Sequence, residues 1–444
     1  MDACPLETMC VAGAYFRNCG FCGIMALHPG KELTLMRAIL LLLALMLLMP
    51  LNALGETADT VTILVATDLH YLAPELTDHG PFFEQKITRG DGKALAYSEE
   101  LVEAFVEQVI HRQPDMLILS GDLTLNGELA SHQSLAAKLE RIRAAGIPVL
   151  VMPGNHDLNN RGAVRYVGEG YERVDTVTAE DFRAIYQDFG YDGAFSLDSA
   201  SLSYVAAVSD ELRILMVDVN SSTPAGAATA ETVEWIRLQL AQAERDHCRV
   251  IAVSHQNLID HNDLNSAGYH IVNANVLRML YANAPVLCNL SGHIHMQHLN
   301  VTNAGVWDIA TSSLAVSPNQ YGVLAVSREG LSYCTEPVDV SAWAASRGLT
   351  DPNLLDFAAY SERFFKDTAR RQALAAIVED DAPEELADFF ASLNAAYFAG
   401  RMDAFTLDEQ LLDRWRRQPV RLAEYIESIV QEKPRSQCTL TLAP

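Results

Sequence analysis

The sequence predicts an α/β domain, with strands covered by helices on both faces, followed by an all-helical C-terminal accessory domain. Three observations predict it. Between Val61 and about Tyr333, short apolar runs alternate with longer amphipathic stretches. Those runs are near-continuously apolar, as strands buried on both faces are. After Pro337 the runs give way to "LLDFAAYSERFFKDTARRQALAAI", "PEELADFFASLNAAYFAG" and "VRLAEYIESIVQEK", which carry apolar residues at helical spacing and few β-branched ones.

The elements follow in order. "VTILVAT" (Val61–Thr67) reads as a buried strand, and Tyr97–Arg112 as a helix with Leu101, Val102, Phe105, Val106 and Val109 on one face. "DMLILS" (Asp115–Ser120) is a second strand, Leu129–Ala145 a helix, and "IPVLVM" (Ile147–Met152) a third strand. Further strands are "LRILMVDV" from Leu212, "RVIAVS" (Arg249–Ser254) and "APVLCNL" (Ala284–Leu290), separated by helices at Thr229–Asp246 and Val272–Ala282. Gly305–Tyr333 reads as a closing antiparallel ribbon.

Ahead of this domain, "MRAILLLLALMLLMPLNALGETADT" sets Arg37 before a Leu-rich run and ends it with Ala53-Leu54-Gly55. That run is short for a membrane span and suits a signal-peptide core. The expected organisation is therefore a doubtful extension at 1–35, with Met36 a natural start, and a signal peptide or uncleaved signal-anchor at 36–57. The catalytic domain follows at 58–338 and the helical domain at 339–444. Export to the cell surface or beyond is the expectation, with membrane contact only if the signal segment stays uncleaved. Cys4, Cys10, Cys19 and Cys22 fall in the extension, where Cys19-x-x-Cys22 lacks a second half. Cys248 and Cys288 read as buried thiols, and Cys334 with Cys438 is left open as a disulfide. The net charge of −25 argues against nucleic acid polymers and anionic membrane surfaces as partners. It leaves room for a small anionic substrate, because bound cations invert the local field.

The strong polar clusters of the first domain sit just after expected strands. "VATDLHYL" brings Asp68 and His70, "LSGDLTLNG" brings Asp122, and "VMPGNHDLN" brings Asn155, His156 and Asp157. "AVSHQNL" brings His255, and "LSGHIHMQH" brings His293 and His295, with His298 a polar bystander. In an open parallel sheet the carboxyl ends of strands share one edge, where ligands bind. Within "DLH" and "HIH" the pairs are two apart, so extended backbone would aim both side chains the same way. Each piece alone has a bland reading as a turn or a satisfied histidine. Five in a row do not. Carboxylate, amide oxygen and imidazole without thiolate suit Mn, Fe or Zn. The donors are too many for one ion and enough for two divalent or trivalent ions, with Asp122 the natural bridge.

The series "DLH", "GDL", "GNHD", "SH" and "GHIH" resembles the calcineurin-like metallophosphoesterase superfamily over about Val61 to Val338. The resemblance implies a four-layer α/β/β/α sandwich with a dinuclear centre at the sheet edge. It implies Asp68, His70, Asp122 and His295 on one metal and Asp122, Asn155, His255 and His293 on the other. His156 would contact the phosphate and protonate the leaving oxygen. Asp157, grouped with it as a catalytic candidate, reads as a support behind the ligands, with a simple capping role as its other reading. Leu125 stands where purple acid phosphatases carry tyrosine, and "GDLTLNG" departs from the "GDxVDRG" of protein phosphatases. The pattern is closer to class III cyclic nucleotide phosphodiesterases, some of which are exported and carry a helical C-terminal domain. The expected activity is hydrolysis of a small phosphodiester, with a 3′,5′-cyclic nucleotide the candidate. A phosphomonoesterase or nucleotidase is the alternative, and a non-catalytic surface binding protein a remoter one. The loop "NLIDHNDLNSAGYHIVN" after His255 offers His261, Tyr269 and His270 for substrate contact, with a solvated connector as its other reading.

Overall fold

A computed structural model describes residues 60–443, apart from 263, 265–267 and 433–434. The expected extension and signal segment lie outside the described residues. Val61–Pro444 forms one compact unit.

Strands β1 (Val61–Ala66), β2 (Met116–Leu119) and β3 (Val149–Val151) lie side by side in parallel. Helix α1 (Ser98–Arg112) links the first two, and α2 (Leu129–Ala144) the next two. Both turn an apolar stripe inward, Leu101, Phe105 and Val109 from α1 and Leu135, Leu139 and Ile142 from α2. A small ribbon, β4 (Val164–Val167) with β5 (Gly170–Arg173), stands apart. A second sheet then takes β6 (Ser196–Leu197), β7 (Tyr204–Ser209), β8 (Leu212–Val217), β9 (Arg249–Ser254), β10 (Val286–Ser291), β11 (His298–Val301) and β12 (Trp307–Ala310). Its middle, β8–β9–β10–β12, is parallel. Helices α3 (Ala230–Arg245) and α4 (Ala274–Ala282) cover its outer face, packing Ile236, Leu240 and Leu277 on Leu215, Val250 and Ala252. The chain finally returns to the first sheet as the hairpin β13 (Gln320–Ser327) and β14 (Gly330–Pro337), with β13 antiparallel to β1.

The layers are helix, sheet, sheet and helix. Between the sheets one continuous core buries Ile63, Val65, Ile118 and Leu150 with Ile214, Ile251, Leu290 and Ile309. The five polar-tipped strands thus come from two stacked sheets, β1–β3 from one and β9–β10 from the other, and not from the edge of one open sheet. The reason is the antiparallel return of β13, which closes the first sheet against β1. The expected ribbon at Gly305–Tyr333 splits likewise: β12 runs parallel to β10 in the second sheet, and the rest forms the hairpin.

Beyond residue 339 the region is helical to residue 431. Helices α5 (Phe357–Ala376), α6 (Pro383–Phe398) and α7 (Arg421–Gln431) carry most of it. Leu386, Phe390, Trp415 and Ile426 form their core, and Met296, next to the candidate ligand His295, is part of it. The end of the chain departs from an all-helical reading. Thr439–Leu442 forms β15, which pairs antiparallel with β14 and completes the first sheet. "TLTL" alternates β-branched and apolar residues, and such a strand satisfies an exposed sheet edge. Cys334 and Cys438, left open as a disulfide pair, both carry thiols, and Cys438 directs its own to the Ala399 carbonyl at 3.2 Å.

Candidate metal centre

Each candidate ligand leaves the carboxyl end of its strand on a tightly held turn. Asp68 and His70 follow β1; their amides donate to the Gly121 and Asp122 carbonyls, each at 3.0 Å, which ties the first two turns together. Asp122 follows β2, and its Oδ1 accepts the His156 amide at 2.8 Å. His255 follows β9 and donates from Nδ1 to the Ser120 carbonyl at 3.0 Å, so its Nε2 is the atom left for the site. His293 and His295 follow β10; the His293 amide donates to Asp68 Oδ2 at 2.9 Å.

Extended backbone does not orient these pairs, contrary to the reading of "DLH" and "HIH". Asp68, His70, Asp122, His293 and His295 all have positive φ, between 43° and 69°. They make up half of the ten such non-glycine residues among the described ones, so the strain concentrates at this edge. The glycines beside them are needed for space. A Cβ on Gly154 would lie 2.2 Å from Asp122 Oδ1, and one on Gly292 2.0 Å from Thr67 Oγ1.

The turns bring the donors together in two groups that share Asp122. Asp68, His70, Asp122 and His295 form one, and Asp122, His255 and His293 the other. In the first, His70 Nε2 and His295 Nε2 face each other at 3.0 Å, and Asp68 Oδ1 lies 3.3 Å from His295 Nε2. In the second, His255 Nε2 faces Asn155 Oδ1 at 3.1 Å and Asp122 Oδ2 at 3.3 Å. His293 Nε2 reaches the Gly268 carbonyl at 3.1 Å, which leaves Nδ1 for the group. The two histidines of "HIH" thus fall in different groups.

A model of the family described as calcineurin-like phosphoesterase matches residues 61–297, and one described as the C-terminal domain of cyclic nucleotide phosphodiesterase matches residues 339–435. The chain belongs to the calcineurin-like phosphoesterase family. As a calcineurin-like phosphoesterase it is a metal-dependent phosphoester hydrolase, and its fold implies divalent metals. Similar solved structures include a dimetal phosphatase from Danio rerio, 14% identical, covering 62% of this chain and 95% of that one with a TM-score of 0.46. GAP50 of Plasmodium is 12% identical and covers 63% and 85% with a TM-score of 0.36. A protein of Thermus thermophilus, TT1561, is 17% identical and covers 60% and 94% with a TM-score of 0.32. No curated protein matches the chain in sequence.

The donors of this phosphoesterase fit cations. Asp68 Oδ1 is buried without a hydrogen-bond partner, and a buried polar atom left so costs roughly 1–3 kcal/mol, more when charged, unless a positive charge meets it. Burial pushes the Asp68 and Asp122 carboxyls up, but the imidazoles outweigh it, His295 chiefly for Asp68 and His255 for Asp122, and both fall below the usual range. Burial, reinforced by Lys93, holds His70 well below the usual imidazole value, and burial with the His255 charge brings His293 to about 4. Burial pulls His255 down as well, yet Asp122 overrides it and holds the ring up to about 9. Ionised carboxylates and the neutral rings of His70 and His293 are the states that metals take, whereas His255 holds a proton that a bound cation would replace.

The remaining expected residues are placed as follows. His156 donates from Nδ1 to the Leu125 carbonyl at 2.8 Å, and its Nε2 faces Asp122 Oδ2 at 4.0 Å. Its ring lies edge-on to His70, with centroids 5.0 Å apart. Asp157 is buried behind the turns. It accepts from the Leu123, Thr124 and Gly154 amides at 2.8–3.0 Å, fixing two ligand-bearing turns without facing the site. His132, which no motif flagged, supports the Asp157 carbonyl at 3.2 Å.

Of the three loop residues, Tyr269 sits against a ligand, its ring 5.5 Å from that of His293. His261 is turned inward, with Nδ1 on His298 Nδ1 at 3.0 Å and Nε2 on Asp308 Oδ2 at 3.2 Å. His270 pairs with Asp260 at 2.7 Å. The loop folds back on itself through the Tyr269 carbonyl and the Asn257 amide, which separates the three. Nor is His298 idle: Nε2 bonds Glu432 at 3.0 Å, joining β11 to the end of α7.

Proposed function

We propose that the protein is an exported phosphodiesterase working through two metal ions on a small phosphoester, with a 3′,5′-cyclic nucleotide the favoured substrate. The observation that carries this reading is the pair of donor groups sharing Asp122 in a chain whose tail matches the C-terminal domain of cyclic nucleotide phosphodiesterase. Asp68, His70, Asp122 and His295 would hold one ion, and Asp122, Asn155, His255 and His293 the other. When bound, such a pair supplies a nucleophilic oxygen at neutral pH and a positive clamp on the phosphoryl group. His156, fixed through Nδ1 on Leu125, presents Nε2 to the leaving oxygen and gives it a proton. Tyr269, beside His293, offers a ring face to a base. The Leu-rich segment from Met36 supports export.

The test is a comparison of bis-p-nitrophenyl phosphate, p-nitrophenyl phosphate and a panel of cyclic nucleotides with Mn, Fe and Zn. The reading expects a higher kcat/KM for diesters. A strong preference for the monoester would replace it with a phosphomonoesterase.

A further inference from the structure

The turn Arg89–Lys93, "RGDGK", belongs to no motif, yet it is fastened to the metal centre. The Ala94 amide donates to the Ala315 carbonyl at 2.8 Å, and Lys93 pairs with Val316 as an antiparallel bridge. The same short segment also holds the ligands. Ser313 Oγ donates to the Asp68 carbonyl at 2.7 Å, its amide donates to the His295 carbonyl at 3.2 Å, and the Leu314 amide donates to the Thr67 carbonyl at 3.0 Å. Lys93 is therefore one strand-width from the segment that hydrogen-bonds the backbone of Asp68 and His295. Its side chain is buried, 9% exposed, and its ammonium is paired with Asp91. After burial, the Lys93 charge is the largest influence on His70.

A buried ammonium beside a cluster that collects cations works against those cations, and Asp91, itself half exposed, offsets only part of that. The arrangement becomes favourable when an anion sits between the ammonium and the ions. A phosphoryl group is such an anion, with oxygens beyond those that two ions can take. The helical region braces the turn that carries Lys93. Gly92 has φ +90°, and a Cβ there would lie 2.6 Å from the Phe365 ring of α5, so this helix presses directly on the turn.

Resting on the function proposed above, we infer that Lys93 is a phosphate-binding residue whose ammonium takes a non-bridging phosphoryl oxygen of the substrate, on a turn that α5 positions through Phe365. A monoester or free phosphate carries more charge than a diester, so both should depend on Lys93 more steeply.

The experiment uses the metal-loaded full chain and its Lys93→Met, Lys93→Arg and Phe365→Ala variants. It measures kcat and KM on both nitrophenyl esters, calorimetric binding of inorganic phosphate, and metal content. Lys93→Met should keep its metals, weaken phosphate binding by about 10- to 100-fold and lower kcat/KM most for the monoester, in keeping with loss of one charge-assisted contact. Lys93→Arg should recover most of both, and Phe365→Ala should fall between. Unchanged phosphate binding in Lys93→Met, or loss of metal accounting for the whole defect, would overturn the assignment. A wild-type protein that binds phosphate through Lys93 but cleaves neither ester would remove the catalytic reading and leave this one standing.

Discussion

At the strand ends, Asp68, His70, Asp122, His293 and His295 sit in left-handed backbone around buried carboxylates, and one oxygen of Asp68 has no hydrogen-bond partner there. In the helical region, Trp415 donates its indole N–H to the Leu386 carbonyl at 3.0 Å and packs near Phe390 in unstrained helix. Left-handed L-residues cost about 1 kcal/mol or more each, so five of them cost roughly 5 kcal/mol, comparable with the whole net stability of many domains. The edge is thus held in a costly geometry that ions can offset, while the tail contributes ordinary packing stability. Phe365 on Gly92 and Met296 in the tail core show where the second region braces the first.

Substitutions in the two regions should therefore fail in different ways. The largest effect is expected from Asp122→Ala, which removes the carboxylate common to both donor groups. Activity should fall by at least about 10³-fold and bound metal should drop, read by kcat/KM and elemental analysis. Full activity in that variant would dissolve the contrast. Trp415→Ala should instead cost about 3–5 kcal/mol of stability in denaturant titration while the folded fraction keeps its kcat within about twofold. A matching loss of kcat would mean that the tail core and the metal edge behave as one unit.

Glu128 extends the contrast to pH. It is buried between the turn bearing Asp122 and α2, one oxygen accepts the Asn126 amide at 3.0 Å, and the other has no partner. Burial raises its carboxyl to about 7. With the folded value above the unfolded one, the protonated form stabilises the fold below about pH 4.5, and that contribution is lost as pH rises through 7. Glu128→Gln should therefore raise stability by roughly 3 kcal/mol above pH 7 and change nothing near pH 4, as measured by urea titration across that range. A pH-independent difference would contradict the burial assignment. The smallest effect is expected far from the edge. Thr229 caps α3 by accepting the Thr232 amide at 3.1 Å, and Thr229→Ala should cost about 1 kcal/mol with no change in activity.

The same contrast explains what could be read from the sequence. Asp68, His70, Asp122, Asn155, His255, His293 and His295 were legible because each follows an apolar run whose strand character is local. Helices α1, α2 and α3 were legible for the same reason, with ends within a residue or so of their periodic faces. What could not be read depends on distant partners. The split into two sheets rests on β13 returning to β1, and β15 exists because β14 offers it an edge. Lys93 is bridged to Val316, in the segment that holds the ligand turns, and His261 turns inward to Asp308, neither of which spacing reveals. The left-handed conformation of "DLH" and "HIH" is set by cross-turn hydrogen bonds, so the two-residue spacing is not what aims their side chains.

The most direct test is the metal content of the purified full chain, loaded with Mn, Fe or Zn and compared with His70→Ala and His293→Ala. Those two substitutions each remove a donor from one group only. Two ions per chain in the wild type and a loss of about one in each variant is the predicted result. One ion or none in the wild type, or two retained in both variants, would contradict a shared two-ion centre.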